Sequence, residues 1–405
     1  MCRDGNRGAE NELMKPKQRL MTALALGVPD RVPTWDWFDE AVTIGVADLL
    51  GLKHHDGVTT LRKGDETEQS VDLYCRVVEA LGVDGTSSVY NTGLKAVSEH
   101  LGRDKYGRGY ILSDSGMPAI IEPAVSSMKE LGNYDMVSRI EKSDFAGLQA
   151  IVDRFGNERA HCLNLNGPFQ EAWNVMGGMD KTMIAFIENP ELVHAVMAEV
   201  VRFSKALMDE AAAIGVDFFM IDGDICGNDF PLLSVELFRQ FILPYKKQMV
   251  KHAHAMGRKI VKHSDGMVWS IMDDLIEVGF DGFHPVQPQC MDMKTTKSHL
   301  YTRMCVFGNV DCLDLLVFGE PEQVRKATKQ CIAEGSPGGG HILCSSNSLH
   351  PGCRPENVVA MFEAAIEFGR YEAIAERPAI TPPPPDGQPS RPRRQTRRRN
   401  AHAVV

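Results

Sequence analysis

Two rhythms of apolar and polar positions alternate along this chain. Apolar residues three and four apart predict helices over 15–26, 128–132, 143–155, 180–188, 190–213, 235–256, 267–278, 321–334 and 355–371. Between them lie short apolar runs of strand type: RVPTWDW (31–37), GVDGTSSVYN (82–91), HCLNLNGP (161–168) and VDFFMIDGD (216–224). Four more follow: KIVKHSD (259–265), FDGFHPV (280–286), MCVFGNVD (304–311) and GHILCSSN (340–347). The segment 103–123, rich in Gly, Tyr and Ile with turn residues, predicts a β-hairpin excursion outside the main sheet. Ser234 with Glu236, and Pro321 with Glu322, supply helix-start chemistry.

Short continuous apolar strands joined by helices imply a parallel sheet buried on both faces. Eight such units predict an α/β fold, a TIM (β/α)8 barrel. The rival is a doubly wound open sheet, but no Gly-x-Gly-x-x-Gly opens a helix after an early strand. In a barrel the residues at the C-terminal ends of strands line the active site. Those positions hold Asp36, Asn91, Asn166, Asp222, Asp224, His263, Asp265, His284, Gln287, Asn309, Asp311, Asn347 and His350. Loop polarity explains part of this set, because strands end where polar residues begin. Five consecutive strand ends enriched in His and Asp exceed what loop polarity supplies.

Composition narrows the classes. With 43% hydrophobic and 24% charged residues the 405-residue chain has the balance of an ordinary globular protein. A formal net charge of -10 argues against nucleic acid as a partner, since phosphate contacts need a basic face. No run approaches the roughly 20 apolar residues of a membrane span, and MCRDGNRGAENEL at the start lacks the apolar core of a signal peptide. Ten scattered cysteines without a CxxC pair point to reduced thiols and a cytoplasmic setting. Residues 1–13 are expected to be flexible, 14–373 to form the barrel, and the Pro- and Arg-rich 374–405 to be a disordered tail.

Five stretches carry a family resemblance: MKPKQRLMTALALGVPDRVP, DGDICGNDFPLLSVELFRQFILPY, HSDGMVWSIMDDLIEVGFDGFHPVQP, FGNVDCLDLL and ILCSSNSLHPGCRPENVVAMFEAA. Together, and in this order, they resemble the uroporphyrinogen decarboxylase superfamily, over 14–371. The resemblance implies a TIM barrel and one of two chemistries: porphyrinogen decarboxylation, or cobamide-dependent methyl transfer between corrinoid proteins and thiols. The decarboxylases share an arginine-bearing N-terminal motif that grips substrate carboxylates. RVPTWDWFDEAV offers tryptophans and acids instead, which favours the methyltransferase-like branch. Thiol methyltransferases of the superfamily hold zinc through His-x-Cys and a second Cys near the last strand, lowering a thiol's pKa. Here His263 matches the histidine, but Asp265 stands in the cysteine position.

The expected metal ligands are therefore His263 and Asp265, completed by Cys344 or His350, because zinc accepts imidazole and carboxylate. The second ring nitrogen of a ligating His263 should donate to a carboxylate or carbonyl. Asp222, Asp224, His284 and Asn309 are the expected catalytic set. Asp36, Trp37, Asn166, Gln287 and Asn347 are the expected substrate contacts. Each has a plainer reading. Asp265 can simply cap the helix at 267, Asp222 and Asp224 can be loop hydrogen-bonders, and His284 can be a satisfied loop histidine. Cys226, Cys290, Cys305 and Cys312 read as small apolar fillers.

The expected function is corrinoid-linked methyl transfer to or from a small substrate, assisted by zinc. The methyl-corrinoid would ride on a separate partner protein. A metal-free carboxy-lyase is the alternative, and a barrel that binds a ligand without chemistry is the third.

Overall fold

The computed structural model describes residues 13–54, 68–112, 119–378, 381 and 383. The first barrel strand, β1 (Gly85–Ser88), is followed by an antiparallel sheet of β2 (Lys95–Ala96), β3 (Leu101–Arg103), β4 (Gly109–Ile111) and β5 (Ala119–Glu122). The chain then rejoins the main sheet with β6 (Ala160–Asn166), β7 (Phe218–Asp222) and β8 (Lys259–His263). It continues with β9 (Gly282–His284), β10 (Cys305–Phe307) and β11 (His341–Ile342). Main-sheet order is β1-β6-β7-β8-β9-β10-β11, every pair parallel. The expected hairpin excursion is thus a four-stranded sheet that begins earlier, at Lys95; residues 113–118 lie outside the described residues.

The first expected strand closes the ring without forming a regular ladder. Trp35 N–H donates to Leu343 O at 3.2 Å, Leu343 N–H to Pro33 O at 2.9 Å, and Asp84 N–H to Thr34 O at 3.0 Å. Thr34 and Phe38 bridge in parallel to Leu343 and Leu349. Pro33 has no N–H to give, so the segment joins its neighbours by separate bridges. It is the eighth stave of the barrel.

Alternation along the strands decides what faces inward. Trp35, Cys162, Phe218, Met220, Val261, Cys305, Phe307, Ile342 and Cys344 form one buried cluster inside the ring. Leu20, Ala23 and Leu24 of the helix Pro16–Leu24 belong to the same cluster. Two residues further along the strands, the same inward rows present Trp37, Asp222 and His263. A separate, larger core packs the outer helices on the sheet, and among the described residues no helix is long and apolar enough to cross a membrane.

Several boundaries move. Helices Glu40–Leu49, Glu68–Ala80, Pro168–Met176 and Met293–Leu300 appear where no helix was expected. Pro168, expected at a strand end, is instead the first residue of a helix, the position that tolerates a missing N–H. The helix expected over 235–256 contains a π turn, Phe238–Ile242, and Ser234 caps its start by accepting from Leu237 N–H. The helix expected from 267 begins as a 3-10 turn at Trp269–Ile271 and turns α-helical over Met272–Val278. Beyond 374 the chain still touches the barrel: Gly338 N–H donates to Ala375 O at 3.2 Å, and Thr381 N–H to Ser298 Oγ at 2.9 Å. Most of the expected tail lies outside the described residues.

Candidate metal centre at the barrel mouth

β7 and β8 lie side by side and end at the same height, so their last inward residues meet. His263 Nε2 lies 3.3 Å from Asp222 Oδ1 and 3.8 Å from Asp224 Oδ1. The turn that follows β8 folds back onto the turn that follows β7: Asp265 N–H donates to Asp224 Oδ1 at 2.9 Å, and Met267 N–H to Gly227 O at 2.9 Å. Gly266 makes this approach possible. Its φ is +85°, and a Cβ there would lie 2.4 Å from Gly227 O.

Asp224, His263 and Asp265 consequently offer three ligand atoms within 4.8 Å of one another. Asp265 Oδ2 accepts from Asn347 Nδ2, whereas its Oδ1 is buried without a hydrogen-bond partner. Burial pushes the Asp265 carboxyl up to about 6, with Asp224 and Asp222 adding to the shift and His263 opposing it. A buried carboxylate oxygen left unpaired is costly unless a proton or a cation meets it. Two carboxylates and an imidazole form an O/N donor set that zinc accepts.

The expected ligands divide. His263 and Asp265 come together, and Asp224, expected as a catalytic residue, joins them. His350 does not: its Nε2 lies 2.8 Å from Cys312 O and its Nδ1 accepts from Gly352 N–H at 3.1 Å, so the backbone occupies both nitrogens. Cys344 does not either. It is fully buried in the barrel interior, where desolvation holds its thiol far above the usual range and disfavours the thiolate a metal needs. Asp265 is no helix cap, because the helix starts later and its carboxylate binds Asn347 instead.

The expected substrate contacts are mostly committed within the protein. Asp36 is fully buried and accepts from Ser345 N–H at 2.7 Å and Ser345 Oγ at 2.9 Å; burial raises its pKa to about 7 against these donors. Asn166 donates to Glu171 Oε2 at 2.6 Å, and Gln287 Oε1 accepts from Gly266 N–H at 2.7 Å. Trp37 is half-buried, its ring centroid 5.4 Å from that of His263. Asn309 follows β10, and its N–H donates to Cys331 Sγ at 3.1 Å; no hydrogen bond among the described residues links it to the carboxylates. His284 is fully buried. Its Nδ1 lies 2.7 Å from His263 Nδ1, so an imidazole stands where a carboxylate or carbonyl was expected.

Two lysines under the site escaped the sequence reading. Lys262 is fully buried on the outer side of β8 and donates to Gly223 O at 2.8 Å and Ile221 O at 3.4 Å, holding the turn that carries Asp222 and Asp224. Burial pulls its pKa down to about 8, with Asp222 and Asp224 opposing. Lys246, also buried, is held well below the usual lysine range, chiefly by burial, with the nearby charge of Lys262 adding to the shift. A lysine inside the apolar run KIVKH was the available signal.

Known proteins agree with this architecture. A methyltransferase from Methanosarcina mazei of known structure superposes with a TM-score of 0.66 at 19% identity, covering 88% of this chain and 99% of its own. The methylcobamide:CoM methyltransferase of Methanosarcina acetivorans is 23% identical over 363 residues, 87% of this chain and 98% of that protein. The uroporphyrinogen decarboxylase of Alkalilimnicola ehrlichii is 25% identical over 201 residues, 48% of this chain and 52% of that protein. The chain thus spans about half the length of that relative, and 63% of a second decarboxylase, from Methylococcus capsulatus. The sequence profile described as uroporphyrinogen decarboxylase (URO-D) matches residues 15–368, and the chain belongs to that family.

Proposed function

We propose that this protein is a metal-assisted methyltransferase, exchanging a methyl group between a corrinoid on a separate protein and a small substrate. The observation that carries the reading is the triad Asp224, His263 and Asp265, with one buried carboxylate oxygen unpaired. Zinc held by these residues would act as a Lewis acid, lowering the pKa of the group that accepts or releases methyl. The remaining work falls to the chain itself. Asp222 is positioned beside His263 Nε2 and orients the substrate; Trp37 covers the His263 ring and limits water there. Lys262 holds in place the turn that carries Asp222 and Asp224.

Two methyltransferase relatives match over 98% and 93% of their lengths, whereas the first two decarboxylases match over 52% and 63% and a further one, from Chlorobaculum parvum, over 85%. Arginine use points the same way. Arg19 and Arg31, the arginines of the first motif, are both engaged with Asp84, and Arg19 also with Asp30. Neither is free to grip a substrate carboxylate.

Purified protein should contain close to one equivalent of zinc, and should demethylate methylcobalamin in the presence of a thiol or similar acceptor. Metal-free protein that releases carbon dioxide from a carboxylated substrate, with no methyl transfer, would put the carboxy-lyase reading in its place.

A further inference from the structure

We propose that His284 is a positioning residue that fixes which nitrogen of His263 faces the ion, an inference that rests on the metal-site reading above. The two residues are register partners on adjacent parallel strands, and Ser264 N–H donates to His284 O at 2.8 Å. Their imidazoles meet through Nδ1 atoms 2.7 Å apart. At that distance one nitrogen carries the proton and the other accepts it. His263 Nε2, which faces Asp222 and Asp224, can give a lone pair to a cation only when the His263 proton sits on Nδ1. His284 Nδ1 is then the acceptor, and the His284 proton sits on Nε2.

The surroundings of His284 leave it no competing partner. Its Nε2 is buried without a hydrogen bond, and its ring is packed edge-on against Trp35 at 5.4 Å and Phe307 at 5.9 Å, with Trp37 at 6.1 Å. Among the described residues, the bond to His263 is the only hydrogen bond its side chain makes. Without an ion the pair can run the other way: His284 Nδ1–H donates to His263 Nδ1, and the His263 proton sits on Nε2, 3.3 Å from Asp222 Oδ1. Both arrangements hold two protons on two neutral rings. Ion binding therefore selects a tautomer pair, and His284 does for His263 what a carboxylate does in many zinc sites.

Three proteins test this: the native chain, His284→Phe and His284→Asn, each titrated with zinc against a competing chelator. Phenylalanine fills the aromatic niche but accepts no hydrogen bond, and zinc affinity should fall roughly 10- to 100-fold. The asparagine side-chain oxygen sits about where Nδ1 does and should restore affinity to within a few-fold of native. Native binding with an unweakened phenylalanine variant would overturn the positioning role and leave the metal site intact. No zinc binding by the native protein would overturn both. Should the phenylalanine variant fail to fold, nitrogen NMR of labelled histidine in the zinc-loaded native chain decides the matter. A proton on His263 Nδ1, and none on His284 Nδ1, supports the inference; the reverse assignment sinks it.

Discussion

At the scale of single residues, Asp265 separates ligand from scaffold most cleanly. In Asp265→Asn the amide oxygen still accepts from Asn347, but the charge is lost and an NH2 group points where Oδ1 was. Zinc affinity should drop by more than the roughly 100-fold typical of outer-shell changes. The ion-free protein should melt no lower than native, because a buried and partly unpaired carboxylate has been removed. A calorimetric titration beside a melting curve reads both. Asp36 makes a second prediction, about pH. Burial pushes its carboxyl up to about 7 from the ordinary aspartate value of about 3.9, so between those values the folded state keeps a proton that the unfolded chain has released. Its contribution to stability is full at low pH and declines as pH rises through 7, with a slope of about 1.4 kcal/mol per unit. Asp36→Asn should flatten the native stability profile between about pH 4 and 7; an unchanged slope would show that Asp36 is ionised in the fold. Residue identity was legible where a side chain stood at a strand end. His263 and Asp265, which the structure brings together with Asp224, stand out in the sequence by breaking an apolar run. Cys344 misled, because an inward-facing strand residue and a mouth-facing one differ by a single turn of the pleat, and spacing does not distinguish them.

At the scale of elements, the site is built by two turns locked together rather than by either alone. The β7 turn is held from below by Lys262 and from the side by Gly167 N–H, which donates to Asp222 O at 2.9 Å. The β8 turn is held by Gln287 and Asn347. Glycine at 266 lets them touch. Gly266→Ala places a methyl 2.4 Å from Gly227 O in a backbone region that L-residues resist, so the turns must separate. The expected result is a loss of about 1–3 kcal/mol of stability, together with weakened zinc binding, because Asp224 and Asp265 sit on opposite sides of that contact. Full zinc affinity in a destabilised variant would show that the turns need not touch to form the site. The run HSDG therefore encodes more than the two side chains proposed as ligands. Its serine, Ser264, also bonds across, accepting from Ile225 N–H at 3.3 Å. None of these partners could be read from the sequence, since each lies on another element.

For the whole molecule, the seam and the site share one loop. The ring closes where 31–38 meets Leu343, and Asp36 grips Ser345 just beyond. Two residues later Asn347 reaches Asp265 across 82 positions of sequence. The loop 344–347 thus ties the irregular stave to the triad, and through it to β7 and β8. The sequence pattern predicted eight units but could not show that one would close by scattered bridges, because Pro33 and the brevity of β11 matter only once the two segments are neighbours. A ligand that binds only the folded state stabilises it by about 2.7 kcal/mol at a hundred times its dissociation constant. If that stabilisation stayed within the two turns, only amides of 222–229 and 263–268 would gain protection from hydrogen exchange. The Asp265–Asn347 and Asp36–Ser345 links argue that it travels. Zinc should also slow exchange at the Trp35, Leu343 and Ser345 amides, and Asn347→Ala should confine the effect to the β7 and β8 turns. Seam amides that ignore zinc in the native chain would show that the barrel closes independently of its metal. Seam protection that survives Asn347→Ala would place the coupling on another route around the ring.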